Sequence, residues 1–285
     1  MSGQLITTAL AAAAARLGDA GIQPAAREAR WLLEHVLDGD RSWQHEPSAR
    51  LTGEQARALD ALVAQRATRY PLQYLLGAVE FAGLTLRVTP AVLIPRPETE
   101  EMVELVLEHV AARDAALECV DLGTGSGCLA IALAKALPQS RWHACDVSEA
   151  ALDVARGNAA RNGLAARISF RQGSWWAALP QGHEFDLVVA NHPYVEEGAR
   201  LEPELAHEPA AALYAGRTGM DAYRAIAAEL DVHLAPRGMF FGELDAAHAE
   251  DTRALLARHT QRAVTLHTDL SGRARFVSAG CPPCG

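Results

Sequence analysis

The chain has 285 residues, 49% of them hydrophobic, which suffices for one large or two modest domains whose cores need no staples. Its formal net charge of −9 argues against broad phosphate-backbone binding, which takes a basic surface, so no direct nucleic-acid contact is expected. No apolar run approaches the roughly 20 residues of a membrane span, and the start, Met1 to Leu10, lacks the basic region and apolar block of a signal peptide, so a cytoplasmic protein is expected.

Three amphipathic stretches come first. Leu5 to Leu17 ends at Gly18, Ala25 to Leu37 follows Pro24, and Thr52 to Thr68 starts with a capping-box pattern, Thr52-x-x-Gln55. Their apolar positions recur at helical spacing, which predicts a small helical bundle over residues 1–76. Trp31, His35, Trp43 and His45 read as packing and surface residues rather than ligands. Two short β-prone runs around Gly83 predict a hairpin within a linker, residues 77–95. Next comes Leu93-Ile94-Pro95-Arg96-Pro97-Glu98-Thr99-Glu100, whose prolines stiffen the chain. Glu98 and Glu100 start a helix running to about Val110, where negative charge suits the helix dipole. The octet reads either as an ordinary linker with a helix start or as a bridge that sets polar groups at the mouth of a ligand site.

From Glu118 onward, strands and helices alternate. Strands are predicted at 118–122, 141–146, 167–171, 185–190, 238–243, 262–268 and 274–279, with helices at 128–137, 148–161, 220–234 and 246–259. Such alternation implies an α/β fold with a mostly parallel sheet covered on both faces. Ligands then lie beyond the carboxyl ends of the strands, where Gly123 to Gly127, Asp146, Trp175 and Asn191 are expected. The run Asp121-Leu122-Gly123-Thr124-Gly125-Ser126-Gly127 joins the first of these strands to its helix, and glycines let the backbone approach a ligand closely. Asp146 closes the next strand about 20 residues on, where a carboxylate can accept from ribose hydroxyls. A nicotinamide or flavin dinucleotide would fit that geometry too, although Gly-x-Gly-x-Gly lacks the wider spacing of the dinucleotide fingerprint.

Asn191-His192-Pro193-Tyr194 follows the apolar strand 185–190. The bland reading is a strand ending in a Pro-containing turn. The functional reading starts from a planar, conjugated NH2 group, a poor nucleophile because its lone pair is delocalised. A side-chain amide oxygen, a main-chain carbonyl and an aromatic face would fix its hydrogens and turn that lone pair toward a methyl donor. At the chain's end, Cys281-Pro282-Pro283-Cys284 has no second cysteine pair to complete a metal site and reads as an incidental tail. Cys119, Cys128 and Cys145 fall in predicted core elements, which suits a reducing compartment.

The glycine loop resembles the S-adenosylmethionine (SAM) loop of class I methyltransferases, and Asn-His-Pro-Tyr resembles the Asn-Pro-Pro-Tyr signature of enzymes that methylate planar NH2 groups. With the Gly-x-x-Glu-Phe hairpin (Gly77 to Phe81) and the octet 93–100, the chain resembles the bacterial release factor glutamine methyltransferases, also called HemK or PrmC, over nearly its whole length. The octet is the most specific piece. The resemblance implies a Rossmann-like, seven-stranded class I methyltransferase domain at 96–285, preceded by the hairpin linker and a helical, release-factor-binding domain. It implies methyl transfer from SAM to the side-chain N5 of the glutamine in the Gly-Gly-Gln motif of class 1 peptide chain release factors. A monomer that needs no metal is expected. Gly123, Thr124, Gly125, Ser126 and Gly127 would cradle the methionine part of SAM, Asp146 would hold the ribose and Trp175 would lie against the adenine. Asn191, His192, Pro193 and Tyr194 would receive the glutamine amide, with Asn191 also beside the cofactor.

The chain departs from that family in three places. His192 stands where the family carries proline. It keeps the main-chain carbonyl but loses a fixed φ, while Pro193 still restrains residue 192 toward extended conformations. Reduced, not abolished, methylation is expected, with His192→Pro raising kcat; a competing idea makes His192 a new general base. Ser174 replaces an aspartate that would accept from the adenine amino group, and Gly242-Glu243-Leu244-Asp245 lacks the family's glycine after Glu243. Other readings are N5-glutamine methylation of a ribosomal protein, a SAM-binding pseudoenzyme weakened by His192, and a DNA adenine-N6 methyltransferase. The last would need a basic surface and a target-recognition domain.

Overall fold

The structure is a computed structural model that describes residues 3–280, so the Cys281/Cys284 pair lies outside the described residues. The chain separates into two units, Met1–Ala78 with Leu201–His207, and Val79–Arg200 with Glu208–Gly285. Among the described residues no helix is long and apolar enough to cross a membrane.

The first unit is built on α1 (Ile6–Asp19), α2 (Ala25–Val36), α3 (Gly53–Ala67) and the short α4 (Leu72–Leu76). Helix α3 begins with the predicted capping box: Thr52 Oγ1 accepts the Gln55 N–H while Gln55 Oε1 accepts the Thr52 N–H. The helices bury Leu17, Leu32, Leu33, Leu59 and Val63 against one another. Arg66, buried at the end of α3, forks onto Glu28 of α2 at 2.6 and 3.2 Å. Such an ion pair is costly to break, because removing one partner strands the other charge in the interior.

Residues 201–207 fall within the predicted span 96–285, yet they pack with the helices. Glu204 accepts from Arg66 Nη1 at 3.1 Å and from Arg69 Nη2 at 2.8 Å, and His207 meets the Tyr70 ring edge-on at 5.1 Å. Sequence periodicity carries no trace of these contacts, which join residues far apart in the chain.

The second unit opens with a hairpin, β1 (Ala78–Phe81) and β2 (Leu84–Arg87), followed by α5 (Pro97–His109). Then come β3 (Glu118–Leu122), α6 (Cys128–Ala136), β4 (Arg141–Asp146), α7 (Glu149–Arg161), β5 (Ile168–Gln172) and β6 (Phe185–Ala190). The chain ends with α8 (Ala210–Leu213), α9 (Asp221–His233), β7 (Leu234–Glu243), α10 (Ala249–His259), β8 (Ala263–Thr268) and β9 (Ala274–Gly280). One seven-stranded sheet runs in the order β5-β4-β3-β6-β7-β9-β8. Its first five strands pair in parallel, and β9 is antiparallel to β7 and β8. Strand β6 lies between β3 and β7 and is buried along nearly its whole length, as an apolar run broken only by Asp186 suits an inner strand with helices on both faces.

One face packs against α5, α6 and the hairpin through Met102, Val106, Leu129, Leu133 and Leu86. The other packs against α9 and α10 through Ile226, Leu230 and Leu256. Strand β7 starts at Leu234, earlier than the predicted 238, because a register irregularity between Phe185 and Leu187 lets its first residue pair with Phe185. Buried Asn158 of α7 ties two loops together. Its Oδ1 accepts the Arg87 N–H, and its Nδ2 donates to the carbonyls of Arg87 and Ser126.

Candidate active site

At the carboxyl end of β3 the chain turns through Gly123, Gly125 and Gly127, all with positive φ, and enters α6 with Gly127 as N-cap. The Gly123 and Thr124 N–H groups donate to the Cys145 carbonyl at the end of β4, both at 2.9 Å. The Gly125 N–H donates to Asp146 Oδ2 at 2.9 Å, and the Ser148 N–H to Asp146 Oδ1 at 2.9 Å. Asp146 is thus aimed by two main-chain donors while its carboxylate still faces a cavity. Burial raises its carboxyl above the ordinary range, partly offset by those donors. Deeper in, Asp121 Oδ2 accepts from Thr124 Oγ1 at 2.7 Å and from the Ala130 N–H at 3.2 Å. Asp121 is buried, and loss of hydration pushes its carboxyl up to about 7.

Trp175 closes one side of the cavity. Its backbone has φ of +47°, a left-handed conformation unusual for a tryptophan, and its carbonyl accepts from Cys145 Sγ at 3.6 Å. A Cβ on Gly123 would lie 3.3 Å from the indole Cζ3, so glycine there lets the ring approach the turn. The cavity encloses about 800 Å³ including its open mouth. It gathers Gly123, Gly125, Asp146, Trp175, Asn191 and Pro193 from among the expected site residues, with Val92, Leu93, Ser148 and Ala212 among the rest of its wall. Thr124, Ser126, Gly127, His192 and Tyr194 do not line it. The first three shape the glycine turn from below, with Thr124 and Ser126 buried. Ser174 is exposed and is not part of the cavity wall.

The tetrapeptide 191–194 follows β6 at the same end of the sheet. Asn191 Nδ2 donates to Thr99 Oγ1 at 2.9 Å, and Thr99 Oγ1 donates to Glu243 Oε2 at 2.8 Å. Glu243 Oε1 lies 3.4 Å from the Tyr194 hydroxyl, and the Glu243 carbonyl accepts from the Tyr223 hydroxyl at 2.8 Å. This chain of donors and acceptors holds the amide of Asn191 by its NH2 end and leaves its Oδ1 free to accept. Burial pushes the Glu243 carboxyl up to about 7, with the Thr99 hydrogen bond and nearby Arg275 opposing that rise. The missing glycine after Glu243 does not unmake the turn. Leu244 is buried and its N–H donates to the Arg275 carbonyl at 2.8 Å, while Asp245 Oδ1 accepts the Ala247 N–H.

Thr99 belongs to the octet 93–100, which the sequence singles out without giving Thr99 a task. Two other members of the octet are clasped as well: Glu208 accepts the Ile94 N–H at 3.0 Å and pairs with Arg96. The proline-stiffened segment therefore acts as a strap beneath the tetrapeptide. Its signal in the sequence is the clustering of polar residues around Pro95 and Pro97, with partners more than a hundred residues away.

His192 is 2% exposed, and its ring stands edge-on to Tyr223 with centroids 4.0 Å apart. Its Nδ1 lies 2.8 Å from the Pro193 carbonyl, while Nε2 is buried with no hydrogen-bond partner among the described residues. Burial pushes its pKa down to about 4, so the ring is neutral at ordinary pH. Buried, neutral and turned against Tyr223, this imidazole is poorly placed to take a proton from a bound substrate. The thiols of Cys128 and Cys145 are pushed up to about 12 by burial, and the Cys119 thiol is raised for the same reason, so none offers a ready thiolate.

Comparison with known proteins finds relatives over most of the chain. The family model of the PrmC N-terminal domain matches residues 8–77, and that of the methyltransferase small domain matches residues 97–216. The chain is 42% identical over 279 residues to the release factor glutamine methyltransferase of Cereibacter sphaeroides, covering 96% of this chain and 98% of that one. It is 40% identical over 274 residues to the enzyme of that name from Deinococcus radiodurans, covering 95% and 96%. Among solved structures, the T. thermophilus 16S rRNA N2 G1207 methyltransferase, in complex with AdoMet and guanosine, matches with a TM-score of 0.53 over 72% of this chain and 50% of that one. At 18% identity that likeness is one of fold alone.

Proposed function

The chain belongs to the release factor glutamine methyltransferase family, and we propose that it methylates the side-chain N5 of the glutamine in the Gly-Gly-Gln motif of class 1 peptide chain release factors. S-adenosylmethionine is the cofactor, and when bound it supplies an electrophilic methyl group on a sulfonium sulfur. The cavity suits such a molecule. The Cβ position of Gly125 is open, Asp146 presents a carboxylate aimed by two N–H donors, and Trp175 offers a flat apolar wall. In this reading Gly123 to Gly127 cradle the methionine part, Asp146 accepts from the ribose hydroxyls and Trp175 covers the adenine.

The observation that carries the proposal is the hydrogen-bonded chain Asn191–Thr99–Glu243. A glutamine amide has two N–H hydrogens and a lone pair delocalised into its carbonyl. Asn191 Oδ1 accepts one hydrogen and the main-chain carbonyl of residue 192 accepts the other, which turns the nitrogen face toward the cofactor. Tyr194, outside the wall of that cavity and 3.4 Å from Glu243 Oε1, is assigned the flat surface against which the planar amide lies. The nitrogen takes the methyl carbon as the carbon–sulfur bond breaks, and the resulting N-methylated amide cation is so acidic that its proton leaves to water or a nearby carbonyl, so no dedicated base is assigned. Positioning of this kind can supply several kcal/mol of the barrier. In the same proposal the helical unit binds the release factor, and the enzyme acts in the cytoplasm as a monomer.

The test is mass spectrometry of a purified class 1 release factor after incubation with this protein and SAM. One added methyl on the Gly-Gly-Gln glutamine is expected, and its loss in Asn191→Ala with SAM binding intact. An unmodified release factor alongside a methylated ribosomal protein would overturn the substrate assignment.

A further inference from the structure

The far end of the sheet, at the amino ends of the central strands, holds a second cluster that the methyl-transfer chemistry does not use. Glu118 opens β3, His143 lies on β4, and His183 stands just before β6. One donor atom of each lies within 4.8 Å of the other two. His143 Nδ1 and His183 Nε2 are buried and have no hydrogen-bond partner among the described residues. A carboxylate approaches only loosely, Glu118 Oε2 standing 3.8 Å from His183 Nε2. Two neighbouring imidazoles, rings 5.1 Å apart, each with an unpaired buried nitrogen, make a poor hydrogen-bonded core but a good donor set. Buried polar atoms without partners are rare in native proteins, and each calls for an explanation.

We propose that Glu118, His143 and His183 bind a divalent transition-metal ion of the zinc class. Two imidazole nitrogens and one carboxylate oxygen are a donor set that zinc takes readily, with water in the fourth position. Metal–ligand bonds of about 2.0–2.2 Å put neighbouring donors about 3.4 Å apart in a tetrahedron, so a triad spread over up to 4.8 Å must close by as much as about 1.4 Å. Glu118 and His183 keep side-chain exposures of 40% and 33%, which leaves both free to adjust. The surrounding backbone is already fixed. The Glu118 N–H donates to Asp186 at 2.9 Å, and the His183 carbonyl lies 3.2 Å from His233 Nδ1. An ion there would pin β3, β4 and the lead-in to β6 together, away from the cofactor cavity. Its expected effect is on stability, with turnover unchanged.

The experiment uses the full chain stripped with EDTA and desalted. Zinc chloride is titrated calorimetrically, and cobalt(II) binding is followed by visible absorption. Wild type should bind one equivalent, show the intense visible bands of four-coordinate cobalt, and melt at higher temperature with zinc than with EDTA. His183→Gln and, independently, Glu118→Gln should weaken zinc binding at least about tenfold and abolish the melting shift, while melting like wild type in EDTA. Cys281→Ser with Cys284→Ser should bind as wild type does. Equal affinity in wild type and His183→Gln, loss of binding in the double serine variant, or no binding by wild type would each overturn the assignment.

Discussion

The two halves of the cavity are built on different plans. Around Gly123, Gly125 and Asp146 the contacts are mostly main-chain and local, all made within one strand–turn–helix–strand stretch. Around Asn191 they are side-chain to side-chain and long-range: Thr99 lies 92 residues from Asn191, and Glu243 lies 144 residues from Thr99. A site made of backbone tolerates side-chain change so long as the turn can form. A site made of a hydrogen-bonded chain fails when any member loses its donor or acceptor. Mutations on the acceptor side should therefore act on kcat, and mutations on the glycine side on cofactor affinity and folding.

The sharpest test is Asn191→Ala. Its amide is the terminal acceptor of the chain, and loss of one preorganised contact of that type costs about 10²–10³ in kcat. SAM affinity by calorimetry should change by no more than about threefold, because ring and ribose contacts remain. A comparable loss in cofactor binding would erase the division between the halves.

Next come Thr99→Val and Glu243→Gln, each expected to lower kcat by about 10–100-fold. Thr99 must donate to Glu243 in order to leave its own oxygen for Asn191, and an ionised carboxylate enforces that direction. Since the Glu243 carboxyl is pushed up to about 7, kcat/KM should rise as pH passes through about 7 and then level off. In Glu243→Gln that rise should vanish. The stability effect has the opposite sign. Folded Glu243 keeps its proton up to about 7 while the unfolded group loses it near 4.5, so its contribution is full below 4.5 and is lost as pH rises through about 7. Urea melts at pH 5 and pH 8 should show a smaller difference in Glu243→Gln than in wild type. An equal difference would mean that this carboxyl is already ionised in the folded protein at pH 5.

On the glycine side, Gly127→Ala meets two obstacles. Its φ is +83°, and the new Cβ would sit 2.9 Å from Ile131 Cδ1 and 3.2 Å from Ala155 Cβ. The left-handed backbone alone costs about 1–2 kcal/mol. A lower melting temperature and SAM affinity reduced about tenfold are expected, with kcat at saturating SAM little altered. A collapse of kcat with normal affinity would contradict the proposed split.

The contrast also explains what could be read in advance. Alternating strands and helices, the Thr52 cap and the hairpin about Gly83 are signalled by neighbours in sequence, and the fold agrees with them. So do the glycine turn and the acidic strand end, which meet across adjacent parallel strands. Thr99, Glu208 and Tyr223 leave no local signal as partners, because their roles exist only once α5, β7 and α9 converge behind the tetrapeptide. The clasp of Glu204 by Arg66 and Arg69 is hidden for the same reason. The side-chain direction of His192 is a third case: a residue next to a site in sequence can still point into the core.

That histidine carries the smallest expected effect and the finest distinction. Its carbonyl, not its ring, is the group the acceptor side needs, and the ring is turned inward against Tyr223. Nδ1 holds the Pro193 carbonyl at 2.8 Å, a local restraint in place of the fixed φ that proline would supply. Exchanging one restraint for the other in His192→Pro should raise kcat only a few-fold, with SAM affinity unchanged, while loss of ring packing lowers stability by about 1–2 kcal/mol. His192→Ala should cost no more than about tenfold in kcat, whereas removing a general base typically costs about 10²–10⁴. Because burial holds the ring neutral down to about pH 4, the pH–rate profiles of wild type and His192→Ala should have the same shape from pH 6 to pH 9. A limb that disappears with the imidazole would make His192 a proton-transfer residue and place the ring, not the backbone, at the centre of the acceptor side.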